Sequence, residues 1–151
     1  MKIEDEVEIL LVDDNPQDAE LALRALRKHD LASHVLWVGD GAAALEYFFP
    51  AGTDAGAVRS RTPKVIFLDL KMPRVGGLEV LRRLKGDERT RLIPVVAMTS
   101  SGERHDVLES YRLGANSYIV KPMDFDEFCK AVVQAGRYWL LLNERPTTPC
   151  R

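Results

Sequence analysis

Cysteine is scarce in this chain of 151 residues, with only Cys129 and Cys150 present. The first falls in a predicted helix and the second in the C-terminal tail, so the pair lacks the spacing of a metal site and predicts no disulfide framework. A chain that uses cysteine so little fits a reducing compartment, and we expect a cytoplasmic protein.

Basic runs and long apolar runs are also missing. Lysine and arginine total 21 against 23 acidic residues, for a net charge of −2, which argues against a nucleic-acid partner bound through bulk charge. No apolar stretch reaches the roughly 18–20 residues of a membrane span, so no membrane partner is expected. The acidic N-terminal segment, residues 1–6, lacks the layout of a signal peptide.

Histidine is limited to His29, His34 and His105. None of them follows a predicted strand, so surface or packing roles are expected. The chain shows no motif for a phosphohistidine donor.

Short apolar runs alternate strictly with longer segments of helical periodicity. Strands are predicted at residues 7–12, 33–38, 65–69, 94–99 and 117–120, and helices at 16–29, 41–49, 77–85, 103–113 and 124–142. This alternation predicts an α/β protein with a flavodoxin-like, doubly wound (βα)5 fold and a five-stranded parallel sheet in the order 2-1-3-4-5. We divide the chain into an extension (1–6), one domain (7–142) and an irregular tail (143–151), with a long surface loop over 50–62.

Charged side chains follow three of the predicted strands. Asp13 and Asp14 end the first, Asp69 ends the third and Lys121 ends the fifth. Because parallel strands bring their carboxyl ends to one crevice, these groups are expected to meet there. Three carboxylates in one place require a cation, and hard oxygen ligands suit Mg²⁺.

This arrangement predicts phosphoryl chemistry. With Mg²⁺ bound, Asp69 is a candidate nucleophile that forms an acyl phosphate, and Lys121 would neutralise charge on the transferring group. Thr99 ends the fourth strand and can donate its hydroxyl to a phosphoryl oxygen. Each residue alone has an ordinary explanation, since Asp-Asp is a common cap or turn, threonine a good strand former and Lys-Pro a common turn. Their joint occurrence at four strand ends favours a functional site.

Four sequence segments carry a family resemblance: LVDDN (11–15), FLDLKMP (67–73), AMTS (97–100) and YIVKP (118–122). With these motifs the chain resembles the receiver domain of two-component response regulators over about residues 7–142. The resemblance implies that Asp69 accepts phosphate from a phosphohistidine on a histidine kinase. It implies a signalling protein rather than an enzyme, one that catalyses only its own phosphorylation and slow dephosphorylation.

The same resemblance implies roles for individual residues. Mg²⁺ would be bound by Asp13, Asp14, Asp69 and the backbone carbonyl of Lys71. Thr99 and Tyr118 would form a switch pair, in which Thr99 moves to the phosphoryl group and Tyr118 turns inward. Lys121 would contact the phosphoryl group, with a cis peptide bond before Pro122.

Lys71 places a long cation two residues after the acceptor, where we expect its side chain to be free. We hypothesise that it changes the phosphoryl lifetime by occupying the approach of water. A solvated surface lysine is the alternative.

The end of the last helix is apolar on all sides. A surface helix of a monomer is normally apolar on one side only, so we expect a homodimer contact there; its residues are Tyr138, Trp139, Leu140, Leu141 and Leu142. No second domain is predicted after this helix, so the expected output is protein contact or phosphate relay rather than transcription. The long loop, this helix end and the tail also resemble single-domain regulators paired with phytochrome-type histidine kinases.

Other functions remain as alternatives. A phosphatase that works through an aspartyl phosphate needs a second acid two residues after the nucleophile, and Lys71 occupies that position. A flavin carrier needs a phosphate-cradling loop after the first strand, where Asp13 and Asp14 would repel phosphate. A relay intermediate and a receiver-like module that binds partners without phosphorylation are further alternatives.

Overall fold

A computed structural model describes residues 7–31, 34–50 and 62–146. Five parallel strands form one sheet in the order β2-β1-β3-β4-β5, as the alternating sequence pattern predicts. The strands are β1 (Ile9–Val12), β2 (Val35–Val38), β3 (Val65–Leu68), β4 (Val95–Thr99) and β5 (Ser117–Val120). The described residues therefore have the flavodoxin-like fold.

Three of the five α-helices begin at a side-chain cap. Asn15 accepts hydrogen bonds from the backbone N–H groups of Gln17 and Asp18, and Asp40 and Asp124 cap later helices in the same way. The helices are α1 (Pro16–Lys28), α2 (Gly41–Phe48), α3 (Gly77–Lys85), α4 (Arg104–Arg112) and α5 (Phe125–Arg137). Each begins and ends close to its predicted bounds except α5, which is followed by a π-helix, Tyr138–Leu142, where continuous α-helix was expected.

Side chains alternate between the two faces of the sheet and build a core on each. Along β1, Leu10 and Val12 join the cluster that packs against α2 and α3. Ile9 and Leu11 face the other way, toward α1 and α5. All four residues of β3 are buried, as expected for a central strand covered on both faces.

The register of the sheet aligns the strand ends. Val12 pairs with Leu68, Leu68 pairs with Ala97, and Thr99 pairs with Val120. The residues that follow β1, β3 and β5 therefore emerge at one edge of the sheet beside Thr99, and this is the edge where the predicted site residues lie.

Gly77 allows α3 to begin directly behind the loop that follows β3. A Cβ atom at this position would lie 2.3 Å from the backbone oxygen of Asp69 and 2.6 Å from Leu70 Cα. Both distances are below van der Waals contact, so only glycine fits. The start of α3 is thus tied to the position of Asp69.

One expectation is wrong, and three others fall wholly or partly outside the described residues. No cis peptide bond occurs in the described ranges, so the predicted cis bond before Pro122 is wrong; the trans form is the intrinsically preferred one at X–Pro bonds, by about 0.5–1 kcal/mol. The extension, residues 51–61 of the long loop, and residues 147–151 of the tail lie outside the described part of the chain. None of the helices in the described ranges combines the length and the apolar composition of a membrane span.

Candidate functional site

Three carboxylates converge beyond the ends of β1 and β3. Asp13, Asp14 and Asp69 each offer an oxygen within 4.8 Å of the others, and Asp14 is exposed while the other two are buried. Negative charges this close repel one another unless a cation lies among them. A cluster of hard oxygen atoms, open to water on one side, fits Mg²⁺, which keeps several water ligands.

The Lys121 side chain reaches into this cluster from the end of β5. Its Nζ lies 2.9 Å from Asp13 Oδ2, 2.9 Å from Asp18 Oδ2 and 3.5 Å from Asp69 Oδ2. Burial acts to lower the pKa of Lys121, but its hydrogen bonds to Asp13 and Asp18 outweigh this and raise the pKa above its usual range. Lys121 is therefore a permanent cation at the site.

Burial also raises the pKa of Asp13. Hydrogen bonds from Lys121 and from the backbone N–H of Asn15 oppose the rise, whereas the charge of Asp69 adds to it. The Asp13 backbone is itself held from β2, because Trp37 Nε1 donates a 2.8 Å hydrogen bond to the Asp13 carbonyl. A divalent cation bound beside Asp13 would offset both the burial of its carboxylate and the repulsion from Asp69.

Asp69 is fixed by backbone contacts. Its N–H donates to the carbonyl of Val12 at 2.9 Å, and its Oδ1 accepts from the N–H of Lys71 at 3.2 Å. The side chain is buried but faces the carboxylate cluster. A carboxylate held in this way, beside a fixed cation, is positioned for nucleophilic attack.

Thr99 is fully buried at the end of β4, and its Oγ1 has no hydrogen-bond partner within the described part of the chain. Leaving a buried hydroxyl without a partner costs about 1–3 kcal/mol. An oxyanion bound at the adjacent strand ends would supply the acceptor. This hydroxyl is the second feature, after the carboxylate cluster, that suits a phosphoryl group.

Tyr118 and Lys71 make contacts beside the site. The Tyr118 hydroxyl donates a 2.6 Å hydrogen bond to the backbone oxygen of Ser101. Lys71 Nζ lies 3.0 Å from Asp106 Oδ2, so the expectation that its side chain is free is wrong. The attraction of a nearly buried carboxylate accounts for this, and it draws the ammonium onto α4.

The apolar helix end divides into two parts. Trp139 and Leu140 pack against the core on the α1 and α5 side, while Tyr138, Leu141 and Leu142 are exposed. The expected exposed patch is thus present in three of its five residues.

Three residues that contact the predicted site residues were not predicted from the sequence. Asp18, Trp37 and Asp106 come from the first turn of α1, from β2 and from the first turn of α4. Only Asp18 carried a signal, as an acid three residues after the cap Asn15. The other two depend on how an edge strand and a helix pack against the strand ends.

The sequence matches a family model. Residues 9–133 match the response regulator receiver domain. The probable methanogenesis regulatory protein FilR2 of Methanothrix harundinacea is 38% identical, over 97% of this chain and 92% of its own length. The response regulator Rcp1 of Synechocystis sp. is 33% identical, over 87% of this chain and 88% of its own length.

Solved structures give the same result. The phosphorylated cyanobacterial phytochrome response regulator RcpA superimposes with a TM-score of 0.82 at 35% identity, covering 92% of this chain and 97% of its own. The Mn²⁺-bound form of Rcp1 gives 0.80 at 32% identity, covering 92% and 98%. The bacteriophytochrome response regulator AtBRR gives 0.66 at 47% identity, covering 92% and 99%.

The fold, the carboxylate cluster with its lysine, and these similarities agree with one another, and the resemblance to phytochrome response regulators noted in the sequence extends to the structure. The chain belongs to the response regulator receiver domain family.

Proposed function

We propose that this protein is a signalling switch in which Asp69 accepts a phosphoryl group from the phosphohistidine of a partner histidine kinase, with Mg²⁺ at the site. The observation that carries the proposal is the arrangement of Asp13, Asp14 and Asp69 within 4.8 Å of one another, with the Lys121 ammonium against them. The unpartnered Thr99 hydroxyl at the same edge supports it.

In the proposed transfer, one bond to phosphorus forms as another breaks. An Asp69 carboxylate oxygen attacks phosphorus, an O–P bond forms, the N–P bond of the donor breaks, and the imidazole leaves with the bonding pair. Asp13, Asp14, Asp69 and the Lys71 carbonyl would hold Mg²⁺, which when bound would neutralise charge on the phosphoryl oxygens. Lys121 contributes a second positive charge. Hydrolysis reverses the modification: water attacks phosphorus, the O–P bond to Asp69 breaks, and inorganic phosphate leaves as the carboxylate is restored.

Thr99 and Tyr118 are the proposed switch pair. Thr99 gains an acceptor for its buried hydroxyl when phosphate is present, which favours a shift of β4 toward Asp69. Tyr118 is only partly buried and is anchored to Ser101, so it can move inward when that loop moves. This links the chemistry at Asp69 to a surface that partners contact.

The donor is proposed to dock beside Lys121. Met123 is 98% exposed and Phe125 is 70% exposed. Two large exposed apolar side chains within four residues of Lys121 suit a protein partner. Because AtBRR and RcpA are described as phytochrome response regulators, we propose a phytochrome-type histidine kinase as this partner.

A homodimer is the second part of the proposal. Tyr138, Leu141 and Leu142 expose apolar surface on the π-helix, and a second copy of the chain would cover it. A phosphorelay intermediate would have the same site. A receiver-like module that binds partners without phosphorylation would not need the unpartnered Thr99 hydroxyl.

The decisive experiment is mass spectrometry of the intact protein after incubation with acetyl phosphate and Mg²⁺. We expect one phosphoryl adduct, which is lost in Asp69→Asn and kept in Asp126→Asn, an exposed acid at the start of α5. Chelation of Mg²⁺ should also prevent the adduct. An adduct that persists in Asp69→Asn would overturn the assignment of the acceptor.

A further inference from the structure

Asp106 is a nearly buried acid that the proposed function does not use. It lies in the first turn of α4 and is 4% exposed. Its Oδ2 accepts a 2.5 Å hydrogen bond from Ser101 Oγ and lies 3.0 Å from Lys71 Nζ. These two contacts, that from Ser101 above all, hold the pKa of the Asp106 carboxyl below its usual range, so it is charged at neutral pH.

The two partners of Asp106 come from the two loops that flank the site. Lys71 is two residues after Asp69, and its backbone N–H donates to Asp69 Oδ1. Ser101 is two residues after Thr99, and its carbonyl accepts the Tyr118 hydroxyl. One carboxylate on α4 therefore connects the acceptor loop, the loop after β4 and the proposed switch tyrosine.

The Lys71 ammonium has a second anion within reach when phosphate arrives. Its side chain is 58% exposed, so little packing opposes a turn toward Asp69 once the ion pair with Asp106 breaks. A phosphoryl group carries about −1.5 to −2 charges at neutral pH, more than the carboxylate it replaces. It would therefore compete with Asp106 for the ammonium.

We propose that Asp106 is a positioning residue that holds the Lys71 ammonium on α4 until a phosphoryl group on Asp69 draws it away. The proposal rests on the proposed function of Asp69. Once the Lys71 ammonium leaves, Asp106 retains only its hydrogen bond with Ser101. The loop after β4 is then no longer connected through Asp106 to the acceptor loop. The same exchange moves a cation toward the phosphoryl oxygens and releases α4 from the acceptor loop.

The test is a double-mutant cycle read by affinity for beryllium trifluoride, a phosphoryl mimic, in the presence of Mg²⁺. Asp106→Asn keeps an oxygen for Ser101 but loses the charge that holds Lys71. We expect it to bind the mimic roughly fivefold more tightly, the scale of one partly exposed ion pair. In a Lys71→Ala background the same substitution should produce no gain.

Controls separate this role from a structural one. Glu109→Gln removes a carboxylate from the same helix, one that pairs with Arg112 instead, and should leave the affinity unchanged. Thermal unfolding of each variant checks that α4 remains folded. An equal effect of Asp106→Asn with and without Lys71 would overturn the proposal while leaving Asp69 as acceptor. Failure of the unmodified protein to bind the mimic would overturn the proposed function and this inference together.

Discussion

At the scale of single residues, Lys121 neutralises the carboxylates around it. We propose a second role for it, contact with a phosphoryl group on Asp69. Its Nζ contacts Asp13, Asp18 and Asp69 from a side chain only 8% exposed. A bound divalent cation would also neutralise these carboxylates. The metal should therefore partly replace Lys121 in stabilising the fold.

This substitution can be measured with Lys121→Met. Removing one partner from a buried ion cluster leaves the other charges uncompensated, so we expect a loss on the order of 3 kcal/mol in the free energy of unfolding without metal. Mg²⁺ should then raise the melting temperature of the variant more than that of the unmodified protein. Thermal unfolding in chelator and in Mg²⁺ provides the comparison.

Lys64→Met serves as the matched control. Lys64 Nζ lies 3.1 Å from Glu8 Oε2, and this ion pair does not include any of the clustered carboxylates. Its response to Mg²⁺ should equal that of the unmodified protein. Identical metal-induced shifts in the Lys121 and Lys64 variants would contradict the assigned role of Lys121.

The residues at strand ends were predictable and the others were not. Asp13, Asp69, Thr99 and Lys121 follow or end apolar runs, and parallel pairing alone brings such positions together. Asp106 reaches the site from a helix, and its rotation about the helix axis is set by packing against the sheet. Sequence periodicity predicts which apolar side chains of a helix face the core, but it does not predict where a polar side chain such as Asp106 points.

At the scale of elements, the start of α3 packs against the backbone of Asp69, the proposed acceptor. The helix begins at Gly77, where the chain passes against the backbone of Asp69 and Leu70. The preceding glycine, Gly76, has more room, since a Cβ atom there would lie 3.5 Å from the nearest atom, the Leu70 oxygen. These two glycines form a natural pair for comparison.

Gly77→Ala should destabilise the protein by about 1–3 kcal/mol, the usual range for overpacking, because backbone cannot move aside as a flexible side chain does. It should also slow phosphorylation of Asp69, since the acceptor loop must shift. Gly76→Ala should leave both quantities nearly unchanged. Denaturant unfolding and the rate of adduct formation from acetyl phosphate measure the two effects, and equal behaviour of the variants would contradict this account.

Helix and strand bounds followed from caps and periodicity, but the π-helix did not. All five of its residues are large and mainly apolar, and the Gly136-Arg137 pair that precedes it does not by itself predict a change of winding. The widened turn coincides with the division of the run between Trp139 and Leu140, which pack on the core, and Leu141 and Leu142, which face outward. Tertiary packing decides this division.

At the scale of the whole molecule, the exposed leucines predict self-association. Leu141 is 69% exposed and Leu142 is 76% exposed. Burying a leucine side chain stabilises by about 1.5–3 kcal/mol, so replacing both with aspartate should weaken a dimer by at least about a hundredfold. Sedimentation at several concentrations should show a dimer that dissociates in the double variant.

Leu92→Asp is the control, because Leu92 is also exposed, at 56%, and lies between α3 and β4. It should keep the mass of the unmodified protein. A monomeric unmodified protein would contradict the proposed dimer directly. Sedimentation before and after phosphorylation would show whether the switch and the assembly are coupled.

The hydrogen bond from Trp37 Nε1 to the Asp13 carbonyl makes Trp37 an intrinsic fluorescent reporter of the site. An indole is a fluorophore whose emission depends on its hydrogen bonds and local field, and this one touches the backbone of a proposed metal ligand. The chain has two tryptophans, and Trp139 lies on the helix end. A Trp139→Phe variant therefore carries a single built-in reporter, so ion binding and phosphoryl arrival at the crevice can be followed in real time without attaching a dye.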